Sequence, residues 1–205
     1  MSLGIERLVV ATHNLKKGGE MVTILSRGLP GIQILTLANF PGAPEPEETG
    51  STYPENAAIK SESAAAFTGE WSLADDAGLE IDALDGAPGL YSKRFGGEDL
   101  PFPEKMALIL EKLKDLPDEE RAARFRCCVA LTSPQGETRV FEATCEGRIA
   151  REPKGQGGFG YDPIFYLPEL GRHMAELTPD EKHAISHRGK VLGQVIKAIQ
   201  SGSLL

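Results

Sequence analysis

Residues 7–37, RLVVATHNLKKGGEMVTILSRGLPGIQILTL, decide the fold. The run Arg7–Ala11 is short and apolar, as a buried strand is. Thr12-His13-Asn14 interrupts it, and Lys16 to Arg27 reads as a helix with Asn14 as its N-cap. Gly31 to Leu37 alternates imperfectly and reads as a second strand. Strand, helix and strand in this order make a β-α-β unit with parallel strands. The start of the helix breaks local rules. Lys16 and Lys17 sit where the helix dipole favours acids, and Gly18-Gly19 weakens the next turn. A helix N-terminus offers free N–H groups to anions, so a bound phosphate would satisfy both the lysines and the dipole. Lys17 and Glu20 lie three apart and share a face.

Working outward, residues 41–56 form an acidic, proline-rich loop with Glu45, Glu47 and Glu48. Pro54 opens a helix to about Thr68, since proline is tolerated in a first turn. Trp71 to Leu84 reads as strand, polar turn, strand, and Gly86 to Gly97 as a loop. Pro103 to Leu116 is an amphipathic helix with Met106, Ile109, Leu110 and Leu113 on one stripe. Phe125–Thr132 and Thr138–Ile149 form a hairpin about Gln135-Gly136. Pro153 to Pro168 is a glycine- and aromatic-rich loop. Thr178-Pro-Asp-Glu181 starts a last helix whose buried face carries Ile185, Leu192, Val195, Ile196 and Ile199. An early β-α-β unit with a late antiparallel hairpin predicts an α/β protein with a mixed sheet flanked by helices.

A chain of 205 residues suits one domain, or one domain of two lobes, with a sizeable core. Asp+Glu exceed Lys+Arg by 30 to 22, a net charge of −8. That excess disfavours general binding to nucleic acid or anionic membranes, so no nucleic-acid or membrane partner is expected. No stretch approaches the ~18 apolar residues of a membrane span. Cys127, Cys128 and Cys145 are odd in number and lack a Cys-x-x-Cys pair. They read as buried thiols of a cytoplasmic protein, without disulfides or zinc.

Three further segments carry chemistry. Leu73-Ala-Asp75-Asp76-Ala77-Gly78 ends an apolar strand with adjacent carboxylates. Side chains alternate along a strand, so one carboxylate can ligate a hard cation while the other braces the turn. Magnesium binds through one or two carboxylates plus substrate phosphate oxygens, and Glu47 or Glu48 is a candidate second ligand. Gly155-Gln-Gly-Gly-Phe-Gly-Tyr-Asp-Pro163 contains a dinucleotide-like glycine pattern. No strand precedes it and no helix opens cleanly after it, so that reading is rejected. Phe159 or Tyr161 can instead offer a ring on which a planar base stacks. Lys182, His187 and Arg188, off the centre of the last helix's apolar stripe, supply donors for base-edge carbonyls or phosphate. Phosphate cradle, metal carboxylates, aromatic platform and base-edge donors are the parts of a nucleotide site.

With these residues in view, the chain resembles the inosine triphosphate pyrophosphatase family, the dITP/XTP pyrophosphatases or Ham1-like proteins. The resemblance runs from Val9 to about Ala198. Thr12, Asn14, Lys17 and Glu20 match the opening Thr-x-Asn-x-x-Lys-x-x-Glu. Glu47-Glu-Thr-Gly50, Glu55-Asn-Ala-Ala-Ile-Lys60, Asp75-Asp-Ala-Gly-Leu79 and Gly86-Ala-Pro-Gly-Leu-Tyr-Ser92 match further motifs in order, as do Gly157–Pro163 and Ser186–Gly189. The resemblance implies an elongated α/β fold with a cleft between two lobes, and a homodimer. It implies Mg²⁺-dependent hydrolysis of ITP, dITP and XTP to monophosphate and pyrophosphate. Carried over by position, Thr12, His13, Asn14, Lys16 and Lys17 hold phosphates. Glu47 and Asp76 bind magnesium, Asp76 is the proton acceptor, and Ala77 contacts substrate through its backbone. Phe159, Gly160, Tyr161, Asp162, Lys182, His187 and Arg188 bind base and sugar. Ala77 stands where the family usually has Ser, and His13 where a smaller residue is common.

Overall fold

The computed structural model describes residues 4–203, so the outermost residues of the expected 1–205 domain lie outside it. The strands are β1 (Arg7–Val10), β2 (Gln33–Thr36), β3 (Trp71–Ile81), β4 (Ala122–Thr132), β5 (Thr138–Ile149), β6 (Phe165–Leu167) and β7 (Arg172–His173). The α-helices are α1 (Leu15–Gly28), α2 (Tyr53–Thr68), α3 (Phe102–Lys112), α4 (Pro179–Ile185) and α5 (His187–Ser201). The strands form one sheet in the order β2-β1-β3-β4-β5-β6-β7. β1 pairs in parallel with β2 and β3, whereas β5, β6 and β7 pair antiparallel. The expected mixed α/β sheet is therefore present.

The chain divides into two compact units. The first comprises residues up to Asp76, Cys127–Ala143 and the segment from Arg188. Its core includes Leu8, Val9, Val10, Met21, Leu25 and Leu73, all with no exposed surface. α5 contributes Val191, Leu192 and Val195, equally buried. Gly28 ends α1 against α5, where a Cβ would lie 2.4 Å from Ile196 Cδ1 and push that side chain aside.

The second unit comprises Ala77–Arg126 and Thr144–His187. Its core gathers Leu79, Ile81, Ile109, Leu113, Phe125, Ile149 and Phe165. The expected α3 stripe holds, with Met106, Ile109 and Leu113 buried and Leu110 packed at the margin. Arg121 is buried here, donating to the carbonyls of Leu113, Ile149 and Ala150. All three cysteines are free and buried.

Three expectations need correction. Trp71–Leu84 is not strand, turn, strand. β3 runs unbroken to Ile81 before a 3₁₀ turn at Asp82–Leu84, because nearby cations neutralise the acids in its middle. The single last helix is two: Ser186 is extended (φ −67°, ψ 158°), ending α4 before α5 begins. The loop 153–168 contains β6, whose Phe165 and Leu167 face inward while Tyr166 does not. Gly147 on β5 makes room for it, since a Cβ there would lie 2.6 Å from the Phe165 ring.

Candidate active site

In the first unit, Asn14 caps α1 as expected. Its Oδ1 accepts from the Lys16 and Lys17 amides at 3.1 and 3.0 Å, and its own amide donates to Thr12 Oγ1 at 3.2 Å. His13 and Lys16 project into solvent beside this terminus. Gly18 on the first turn is buried against the Thr12 methyl.

The adjacent carboxylates of β3 part company, as strand alternation requires. Asp75 has no exposed side-chain surface; Lys17 Nζ lies 3.0 Å from its Oδ1. Arg188 Nε and Nη2 donate to Oδ2 at 3.1 and 3.0 Å. The third arm of that guanidinium, Nη1, donates to Glu20 Oε2 at 3.0 Å. Burial alone would raise the Asp75 carboxyl; Lys17 and Arg188 outweigh it and hold the group well below the usual carboxylate range. Cys127 Sγ also faces Asp75, and burial pushes that thiol well up, so it is no thiolate nucleophile.

Asp76 has different neighbours. Asn56 Nδ2 donates to its Oδ2 at 3.3 Å, and Lys60 Nζ lies 3.6 Å from its Oδ1. Lys60 also donates to Glu48 Oε1 at 2.7 Å. Burial pushes the Asp76 carboxyl up, and Lys60 and Lys17 only partly offset it. Burial opposes the Lys60 charge, yet Asp76, Asp75 and Glu48 together hold its pKa above the ordinary lysine value. Asn56 and Lys60 stand one turn apart on α2, whose start is fixed by a reciprocal Thr52–Glu55 capping box. A second bond, from Gly50 N to Asn56 Oδ1 at 2.8 Å, secures the acidic loop against this helix.

In the second unit, the loop 155–162 folds on its own carboxylate. Asp162 Oδ2 accepts from the Phe159 amide at 2.9 Å and from Lys182 Nζ at 2.7 Å. Gly158 has φ +68°, and a Cβ there would collide with Asp162 Oδ2. Lys182 Nζ also sits 4.6 Å from the centre of the half-buried Phe159 ring, a cation–π contact. Gly160 takes φ +66°. Tyr161 is buried, its hydroxyl donating to Ser92 O at 2.8 Å and its ring edge-on to Phe102 at 5.1 Å. His187 is buried too, stacked on Phe125 at 4.8 Å.

The profile of the Ham1 family matches residues 8–198. The chain belongs to the Ham1 family. A dITP/XTP pyrophosphatase of Exiguobacterium sibiricum is 51% identical over 193 residues, spanning 94% of this chain and 96% of the relative. One from Escherichia coli O157:H7 is 44% identical over 200 residues, 97% of this chain and all of the relative. Among solved structures, a HAM1 protein from Coxiella burnetii superposes with a TM-score of 0.86 at 43% identity, covering 96% of this chain and 100% of its own. The Staphylococcus aureus Ham1 protein gives 0.85 at 37% identity, with 96% and 99% covered.

In this Ham1-family chain the expected site residues fall in both units. Thr12, Asn14, Lys17 and Asp76 cluster in the first unit, and Phe159, Asp162 and Lys182 in the second. Arg188, grouped with Lys182 and His187 on sequence, uses its guanidinium on Asp75 and Glu20 within the first unit. Tyr161 anchors its loop through Ser92 and exposes almost none of its ring. Glu47 is exposed, and it is Glu48 that reaches Lys60. Asn56 and Lys60 stand in the Glu55–Lys60 motif but received no role on sequence; their i, i+4 spacing in the helix after an acidic loop was the available signal. Ala77 begins the second unit.

Proposed function

We propose that the chain hydrolyses dITP, XTP and ITP to the monophosphate and pyrophosphate, removing deaminated purines from the nucleotide pool. The observation that carries this reading is the divergence of Asp75 and Asp76. One carboxylate is neutralised by Lys17 and Arg188, and the other is left with a raised pKa beside Asn56 and Lys60, as a general base requires. The named activity of relatives 44–51% identical over nearly the whole chain supports it.

In this reading the α1 N-terminus, Thr12, His13, Lys16 and Lys17 take the triphosphate. Asp76 accepts the proton of the water that attacks the α-phosphorus in line. Lys60 and Asn56 hold Asp76 in place. Among the described residues no three His, Cys, Asp or Glu side chains converge to hold a metal by themselves. Asp76 with one acid of the Glu47–Glu48 pair is nonetheless the oxygen donor set magnesium uses when phosphate completes its shell. Bound there, Mg²⁺ would offset phosphate charge and acidify water. Glu48 is the acid whose carboxylate already shares Lys60 with Asp76.

The second unit takes the base. Phe159 offers a ring face, and Lys182 donates to a 6-oxo group. An adenine 6-amino group is itself a donor and offers Lys182 no acceptor, which disfavours ATP strongly. Arg188 is a positioning residue, holding Asp75 and through it Lys17. The reading further assigns a homodimer acting in the cytoplasm; no described helix is long and apolar enough to cross a membrane. Pyrophosphate release from ITP, XTP, GTP, ATP and dTTP, with and without Mg²⁺, tests the activity; light scattering of the eluting protein tests the dimer.

A further inference from the structure

Lys105 on α3 is 2% exposed, although lysine is almost never fully buried unless paired. Its ammonium donates to three main-chain carbonyls: Lys93 O at 2.9 Å, Phe95 O at 3.1 Å and Gly97 O at 2.6 Å. An ammonium has three N–H donors, so this one is filled by a single turn of chain. The same turn is secured at its start. Ser92 Oγ accepts from Leu79 N at 2.9 Å and donates to Gly89 O at 2.6 Å, and Ser92 O accepts from Tyr161. Phe95 packs on the core of the second unit. Gly96 and Gly97 take φ +74° and +136°, and a Cβ at Gly96 would lie 2.7 Å from Leu108 Cδ1.

Between these anchors, Lys93 and Arg94 are exposed, with the Arg94 guanidinium 5.6 Å from the centre of the Tyr91 ring. A tightly held main chain bearing two long exposed cations is pre-organised for an anion, because the ordering cost is met on folding.

We propose that Lys105 is a positioning residue for the reaction: its buried ammonium fixes the Lys93–Gly97 turn so that Lys93 and Arg94 are held ready for an anionic group of the substrate. The inference rests on the pyrophosphatase reading, which supplies the anionic substrate. Lys105 itself touches no reacting atom.

The test combines Lys105→Met, which keeps the chain length and removes the donors, with Lys93→Ala/Arg94→Ala, which removes no buried contact. For Lys105→Met, KM for ITP should rise about tenfold while kcat stays within about threefold, as when ground-state and transition-state binding are lost together. Trypsin cleavage after Arg94 in the intact protein, followed by mass spectrometry, should accelerate about tenfold as the turn opens. In the Lys93→Ala/Arg94→Ala background, adding Lys105→Met should raise KM no further, since the two changes act through one element.

An unchanged KM in Lys105→Met, or a full additional rise in the doubly substituted background, would overturn the inference with the parent reading intact. If Lys105→Met does not fold, the Lys93→Ala/Arg94→Ala protein decides: a raised KM supports the inference, and an unchanged KM overturns it. A wild-type protein that releases no pyrophosphate from any nucleoside triphosphate overturns the parent reading, and this inference with it.

Discussion

Asp75 and Asp76 are adjacent and chemically identical, yet Asp75→Asn and Asp76→Asn should fail in opposite ways. Asp75 has no exposed side-chain surface and faces the Lys17 ammonium and a guanidinium only 3% exposed. Neutralising it leaves Arg188 buried with Glu20 as its remaining named carboxylate. Breaking a buried pair from one side costs about 3–5 kcal/mol, and the isosteric amide places Asp75→Asn near the lower figure. With a urea slope of about 2 kcal/mol per molar, the unfolding midpoint should drop by roughly 1.5 M. The sign with pH follows from the depressed folded-state pKa. The stability Asp75 contributes is fully present above the ordinary carboxylate value of 3.8 and is lost as pH falls through the folded value. The deficit of Asp75→Asn should therefore narrow below about pH 4. Asp76 carries the reverse shift, since burial penalises its charge. Asp76→Asn should stay within about 1 kcal/mol of wild type while kcat falls about 10²–10⁴-fold, the range for loss of a general base. The assays are urea unfolding by circular dichroism and pyrophosphate release from ITP. An Asp75→Asn protein as stable as wild type, or an Asp76→Asn protein with near-normal turnover, would refute the division of labour.

Three further outcomes are expected. Glu48→Gln should raise the Mg²⁺ concentration for half-maximal activity at least about tenfold, and Glu47→Gln much less, by titration of Mg²⁺ after EDTA treatment. The acid limb of kcat/KM for ITP should move to lower pH as Mg²⁺ is raised, because burial lifts the Asp76 carboxyl and a bound cation would oppose that. Lys182→Met should shrink the preference for ITP over ATP about tenfold or more, chiefly by slowing ITP, measured as a ratio of kcat/KM values.

Much of this was legible in the sequence because local rules sufficed. The β1-α1-β2 unit, the Asn14 cap and the α3 stripe follow from apolar period and capping chemistry. Alternation along β3 also foretold that Asp75 and Asp76 would separate. What escaped depended on tertiary partners. β3 continues through Asp75 and Asp76 only because Lys17, Arg188 and Lys60, far off in sequence, neutralise them. The buried partners of Arg188 could not be read from its own motif, because they are 113 and 168 residues away in the chain. Tyr161 looked like a platform, and its bond to the Ser92 carbonyl has no signature in its own motif. Lys105 carried no signal at all, since the carbonyls that hold it belong to a loop with no regular period.

If this chain cleaves deaminated purine triphosphates between the α- and β-phosphates, monophosphate and pyrophosphate must appear together. Purified protein with Mg²⁺ and ITP, XTP, GTP, ATP or dTTP in separate reactions, analysed for both monophosphate and pyrophosphate, tests it directly. Equimolar monophosphate and pyrophosphate are expected from ITP and XTP, little from ATP, and none after EDTA. Release of inorganic phosphate with the diphosphate left behind, or equal cleavage of ATP and ITP, would contradict it.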